Sequence, residues 1–204
     1  MYRLESSDVA MGCPCNSSVS LVKFSSQAVL FLYPNEFGIR TLYAFDLLTH
    51  EVHPLLDSNE SQDLGQLNLT EQLRRERMRN FSHGIVSYEL IELAGAPFDY
   101  RIMIPSSDNK ILIYDARPSS SADASLLWEA LDGSHGSLVD PHMSSYGDKL
   151  AFVLEDDLYY ANILEGCLSE SIYRVTHMGA EQGVACGVAE FIAQEEMDRY
   201  RGFW

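Results

Sequence analysis

The chain alternates short apolar runs of strand length with polar breaks, and the same phrase recurs along it. Ala28 to Tyr33 (AVLFLY) is followed by Pro34-Asn35-Glu36-Phe37-Gly38, residues suited to a tight turn. Arg40 to Asp46 (RTLYAFD) alternates apolar and polar positions, and Glu51 to Leu55 continues after Leu48-Thr49-His50. Three strands with such short breaks predict an antiparallel meander. Tyr100 to Ile104 (YRIMI), Ser106-Ser107-Asp108-Asn109 and Lys110 to Asp115 (KILIYD) repeat the phrase. A third copy runs through Lys149 to Leu154 (KLAFVL), the acidic break Glu155-Asp156-Asp157, Leu158 to Ile163 (LYYANI), a turn at Glu165-Gly166, and Ser171 to Thr176 (SIYRVT). Strand, acidic turn, strand ending in Asp or Asn, turn, strand is how a propeller blade is written. The period is irregular, and a β-sandwich shares the strand spacing.

Helical character is confined to two places. Asn68 to Arg79 is built of strong helix formers, with Asn68 or Thr70 available as a cap and Glu71 placed four residues before Arg75. Gly84 closes that segment before a strand predicted over Ile85 to Leu93. The polar stretches Asp57 to Gln66 and Pro118 to Ala124 read as loops. From Gly187 onward the pattern predicts a strand passing into one short helical turn.

Composition narrows the function classes. With 204 residues and 46% hydrophobic content the chain is long enough for a substantial core. Its formal charge of −16, from 30 acidic against 14 basic residues, argues against a nucleic-acid partner, because a phosphate backbone is repelled by such a surface. Cationic or N-terminal-amine ligands are compatible with it. No apolar run reaches the 18 or so residues of a membrane-spanning helix, so no membrane contact is expected in this segment. Cys13-Pro14-Cys15 lacks a second close pair, and Cys167 and Cys186 lie far away, so neither a metal site nor any cofactor is expected.

Catalytic motifs are equally sparse. A nucleophile elbow needs Gly-x-Ser-x-Gly, and Gly133-Ser134-His135-Gly136 has the wrong spacing and the composition of a surface loop. His50-Glu51-Val52-His53 places its histidines three apart in a β-like stretch, where they face opposite sides and share no metal. No glycine-rich phosphate loop is present. The adjacent carboxylates Glu195 and Glu196 differ in kind. Flanked by Phe191, Ile192, Met197 and Tyr200, they are expected to be partly buried, where like charges are costly and a cation between them relieves the repulsion. The plain alternative is a solvated acidic turn with Glu196 and Arg199 paired across it, and spacing by itself favours that alternative.

Taken together, these residues resemble the dipeptidyl peptidase IV family of the prolyl oligopeptidase class of serine peptidases. Gly187 to Trp204 follows the family peptide G-V-A-E-F-[IV]-x-Q-E-E-[MF]-D-R-[YF]-x-G-[YF]-W-W, short of its last tryptophan. Leu73 to Arg79, with Gly84-Ile85-Val86-Ser87-Tyr88-Glu89, resembles R-E-R-x-R followed by G-I-x-S-Y in dipeptidyl peptidase 8/9-type and bacterial members. Ser144 to Val153 resembles the S-P-D-G-K-x-[IVL]-A-F-V blade start, with Tyr146 at the usual proline. The resemblance runs from about Arg40 to Trp204.

It implies a mainly β fold: part of an N-terminal β-propeller of antiparallel blades over 26–204, one short helix near 70–80, an unassigned segment 1–25, and truncation before an α/β-hydrolase domain. It implies a substrate-docking part, itself without catalytic residues, of a peptidase that releases N-terminal X-Pro or X-Ala dipeptides. The alternative is a catalytically dead propeller used for protein interaction. By the motif, Glu195 and Glu196 hold the substrate's free α-amine, and an arginine from Arg75, Arg77 and Arg79 orients a substrate carbonyl. The implied partners are a peptide with a free N-terminus, a hydrolase domain in cis and, through exposed blade edges, a second copy of the chain. The resemblance to 8/9-type members favours a cytoplasmic location.

Overall fold

The computed structural model describes residues 19–35, 37–55, 73, 76, 84–93, 100–105, 111–117, 120–129, 138–163, 172–179 and 183–203. These form three four-stranded antiparallel sheets, each a meander in chain order. The first holds β1 (Ser20–Phe24), β2 (Ala28–Pro34), β3 (Arg40–Asp46) and β4 (Val52–Pro54). The second holds β5 (Glu89–Glu92), β6 (Tyr100–Pro105), β7 (Ile111–Arg117) and β8 (Ser120–Glu129). The third holds β9 (Leu138–Met143), β10 (Lys149–Leu154), β11 (Asp157–Asn162) and β12 (Ile172–Arg174). Helix α1 (Phe191–Met197) follows. The fold is mainly antiparallel β, compatible with a partial propeller.

The period-two pattern decides which faces meet. Ala28, Leu30 and Leu32 of β2 pair with Asp46, Ala44 and Leu42 of β3, and the apolar members of this face are fully buried. They pack with Tyr100, Ile102 and Ile104 of β6 and with Tyr114 of β7 in one core. The opposite side of the second sheet gives Met103, Ile111 and Ile113 to a second core with Leu150, Phe152, Ala161 and Ile163. The second sheet is therefore buried on both faces. The nearly unbroken apolar runs YRIMI and ILIY fit that double burial; β2 is apolar throughout as well (AVLFLY), but its burial alternates.

Turn chemistry fixes the registers. Asp46 accepts the Leu48 and Thr49 amides at 2.7 and 3.1 Å, which closes the β3–β4 turn and holds its carboxyl below the usual carboxylate range. Glu155 and Asp156 both have positive φ, 50° and 63°, in the two-residue β10–β11 hairpin turn. Buried Asp157 accepts Thr176 Oγ1 at 2.7 Å, Arg174 Nη2 at 2.5 Å, and the Met178 and Gly179 amides at 3.1 Å each. This network folds the segment after β12 back over the hairpin.

The observed elements correct several expectations. β1 lies entirely inside the unassigned segment 1–25. The loop expected over Pro118 to Ala124 is from Ser120 onward part of β8, because β7 supplies a partner backbone that the serine-rich sequence does not advertise. The strand expected over Ile85 to Leu93 is confined to Glu89–Glu92. β9 was hidden by Asp140-Pro141 at its centre. There the register with β10 shifts between Ala151 and Val153, and Asp140 takes φ 53°. Proline is tolerated because the strand bulges. Of the helix expected near 70–80, Leu73 and Glu76 are helical and the rest lies outside the described residues.

Candidate functional site

Helix α1 is presented by a loop that is closed at its base. Val188 and Arg201 form an antiparallel bridge, and the Gly202 amide donates to Gly187 O at 3.2 Å. Both glycines are required by close approach. A Cβ on Gly202 would lie 2.5 Å from Gly187 C and O, and Gly187, at φ 83°, would place one 2.8 Å from Val153 Cγ2. The incoming limb is tied to the β10–β11 turn, where the Cys186 amide donates to Asp156 O at 2.8 Å. The helix starts with Gln194 N–H donating to Glu190 O at 3.1 Å. It ends at Asp198 in the left-handed conformation, after which the Arg199 N–H returns to Ala193 O at 2.9 Å.

One side of this helix faces inward. Ala193 and Gln194 are buried, and the Gln194 side-chain amide donates to Ala189 O at 2.5 Å. Glu195 and Glu196 are both exposed, which corrects the expectation of partial burial. The flanking apolar residues do not cover them, for Phe191, Ile192 and Met197 are themselves exposed. Adjacent helical positions differ by about 100°, so the two carboxylates share the outward side. Arg75, Arg77 and Arg79 lie outside the described residues.

Beside the outgoing limb is a cleft of about 560 Å³. Leu21 and Lys23 of β1, Tyr88 and Glu89 at the start of β5, and Asp140 and His142 of β9 line one side of it. The first strand of each sheet therefore converges here. Arg199, Tyr200, Arg201 and Phe203 line the other side, immediately after α1.

A charged cluster bridges these walls. His142 Nδ1 meets Glu89 Oε1 in a short contact, and Nε2 lies 3.2 Å from Asp140 Oδ1. The second Glu89 oxygen accepts the Met143 amide at 2.7 Å, which ties β5 to β9. Arg201 Nη2 is 2.9 Å from His142 Nδ1 and 4.0 Å from Glu89 Oε1, and Arg201 Nε is 3.8 Å from Asp140 Oδ2. Phe203 packs edge-on against the imidazole, with centroids 5.8 Å apart. Burial pulls the His142 pKa down. Hydrogen bonds to Asp140 and Glu89, with their charges, outweigh this, so the ring titrates above the ordinary histidine value. Lys23 sits 5.1 Å over the Tyr88 ring, its pKa lowered by burial while the Glu89 charge opposes the shift.

Sequence reasoning located Glu195 and Glu196 but passed over Glu89, Asp140, His142 and Arg201. No local motif joins residues 53 and 59 positions apart, and the one available signal was the proline inside β9. His50 and His53 do not converge: His50 stacks on Phe45, while His53 lies 3.5 Å from Glu51. Gly133 to Gly136 and Cys13, Cys15 and Cys167 lie outside the described residues, among which no group of three or more His, Cys, Asp or Glu side chains is placed to hold a metal.

Comparison with known proteins bears on residues on both sides of this cleft. Human dipeptidyl peptidase 8 (Homo sapiens) is 29% identical over 157 residues, covering 74% of this chain and 17% of that protein. Mouse dipeptidyl peptidase 8 (Mus musculus) is 27% identical over 160 residues, with the same 74% and 17% coverage. The chain thus spans about a sixth of the length of these relatives, 17%. Among solved structures, a puromycin-hydrolyzing peptidase of Mycobacterium tuberculosis is similar at 13% identity and TM-score 0.33, over 78% of this chain and 31% of that one. The family model for the dipeptidyl peptidase IV N-terminal region matches residues 104–204, which include β9, the cleft-lining limb and α1. Over those residues the chain matches the N-terminal region of the dipeptidyl peptidase IV family.

Proposed function

We propose that this chain is the substrate-docking part of a serine-type dipeptidyl aminopeptidase, in which Glu195 and Glu196 hold the substrate's protonated N-terminus. The observation that carries this reading is that both carboxylates stand outward on a helix whose loop is closed at its base and whose inner side is buried. A mobile acidic turn would lose binding energy to ordering, whereas a pre-placed pair spends little on it. A peptide α-amine titrates near 7.7–8.0 and is mostly cationic at neutral pH, so two charge-assisted hydrogen bonds are available to it. An arginine from Arg75, Arg77 and Arg79 orients a substrate carbonyl. Bond cleavage belongs to a hydrolase domain acting in cis, with X-Pro or X-Ala dipeptides released. In the second reading, a propeller without catalysis, the exposed Phe191, Ile192 and Met197 meet a protein partner.

The test is kcat/KM in the full-length protein with free-amine and N-acetylated X-Pro substrates. A charged hydrogen bond contributes about 1.5–3 kcal/mol, so Glu195→Ala or Glu196→Ala should lower kcat/KM for the free amine by roughly 10- to 100-fold. The acetylated substrate, already poor, should lose little more. Equal losses on both substrates would assign the pair to structure, and an inactive full-length protein would favour the second reading.

A further inference from the structure

We propose that His142, held between Glu89 and Asp140 and in contact with Arg201 and Phe203, is a positioning residue that sets where Glu195 and Glu196 stand; this rests on the amine-holding role of α1. The loop bearing α1 has two limbs, and they are anchored differently. The incoming limb is fixed by backbone, through Cys186 and Gly187 on the β10–β11 hairpin. The outgoing limb, Asp198 to Phe203, shares the backbone closure at Val188–Arg201 and Gly187–Gly202, and beyond it the Arg201 and Phe203 side chains lie on the His142 ring. That ring is in turn fixed to two different sheets, through Glu89 of β5 and Asp140 of β9. Between Arg201 and Glu196 there are only four intervening residues, so displacement of the limb is passed directly to the helix end.

The proton state of the ring governs the clasp. Glu89 and Asp140 are acceptors on opposite ring nitrogens, and only the doubly protonated imidazolium donates to both. Arg201 is also only a donor, so beside the imidazolium it is held by the charges of Glu89 Oε1 and Asp140 Oδ2, 4.0 and 3.8 Å away, which the ring keeps in place. Lys23 on β1 faces Glu89, and Asp198, Arg199 and Tyr200 line the same cleft from the limb itself. When His142 loses its proton, one carboxylate loses its donor and the cluster gains a net negative charge. Because the folded pKa lies above the ordinary value of about 6.5, the clasp is complete below that value and is lost as pH rises through the raised one.

Hydrogen exchange in the full-length protein, corrected for intrinsic rates, reads the clasp without reference to activity. The Gly202 and Arg199 amides should lose protection by about tenfold between pH 6 and pH 9 while those of β10 hold, the scale of one charged hydrogen bond. His142→Gln should show the loosened pattern at every pH. It should also raise KM for a free-amine X-Pro substrate about tenfold with kcat within twofold, as expected when binding alone suffers. Arg201→Lys, which keeps the cation, should stay within about threefold of wild type. Glu195→Ala run alongside separates two failures. If it raises KM and His142→Gln does not, the positioning role falls alone; if neither raises KM, the amine reading falls and the positioning role with it. Should His142→Gln not fold, the wild-type profile decides: Gly202 protection unchanged from pH 6 to 9 overturns the proposal.

Discussion

Asp157 carries more hydrogen bonds than its sequence context announces. Burial raises its pKa, but Thr176, Arg174 and the Gly179 and Met178 amides outweigh that and hold the carboxyl far below the usual range. A carboxyl depressed in the folded state stabilises above its unfolded value, about 3.9, and that contribution disappears as pH falls toward the folded value. Asp157→Asn should therefore lower the thermal midpoint at pH 7 by several degrees. It should also flatten the acid limb, so that wild type and variant converge as pH drops from 5 toward 2; parallel curves would remove Asp157 as the cause. The sequence reading took Glu155-Asp156-Asp157 as one acidic turn. Two of the three are exposed turn residues and the third is a buried anchor, a distinction set by partners 17 to 22 residues further on. The same limitation hid His142, whose meaning lies in three chain segments that meet only after folding. Glu195 and Glu196 were legible because their motif is contiguous.

Strand segments were readable where apolar periodicity was strong. The runs at β2, β3, β6, β7, β10, β11 and β12 all formed close to their expected places. What failed was β8, with its weak pattern, and β9, whose proline looks like a terminator until the bulge is seen. In the loop bearing α1 the glycines at both ends were visible, but the reason for them was not: two backbone segments pass with no space for a side chain. Gly202→Ala should push Gly187 and Gly202 apart at a cost of about 1–3 kcal/mol, the usual scale of overpacking. The loss should be read as faster exchange of the Gly202 amide and a lower unfolding midpoint. Wild-type behaviour in both would mean that the base of the loop tolerates a methyl group.

Across the molecule, apolar surface remains open along the first sheet. Val19, Leu21, Val22 and Phe24 are exposed in and beside β1, which pairs with β2 on one side only among the described residues. An edge of this kind is a template for another strand. The chain alone should therefore associate reversibly across micromolar concentrations in sedimentation velocity, and Phe24→Lys with Val22→Lys should suppress it. A single monomeric species throughout that range would show that the edge is innocuous.

β6 supplies Ile102 and Ile104 to one core and Met103 to the next. One short stretch of backbone is thus common property of two hydrophobic interiors. Where sheets stack in a row, cooperativity passes between neighbours through such shared layers. The outer sheets communicate through β6 and β7 even where they do not touch. Loosening Leu30 on one side is felt, by way of the second sheet, at Phe152 on the other, and thus beneath the strand on which the helix-bearing loop is mounted.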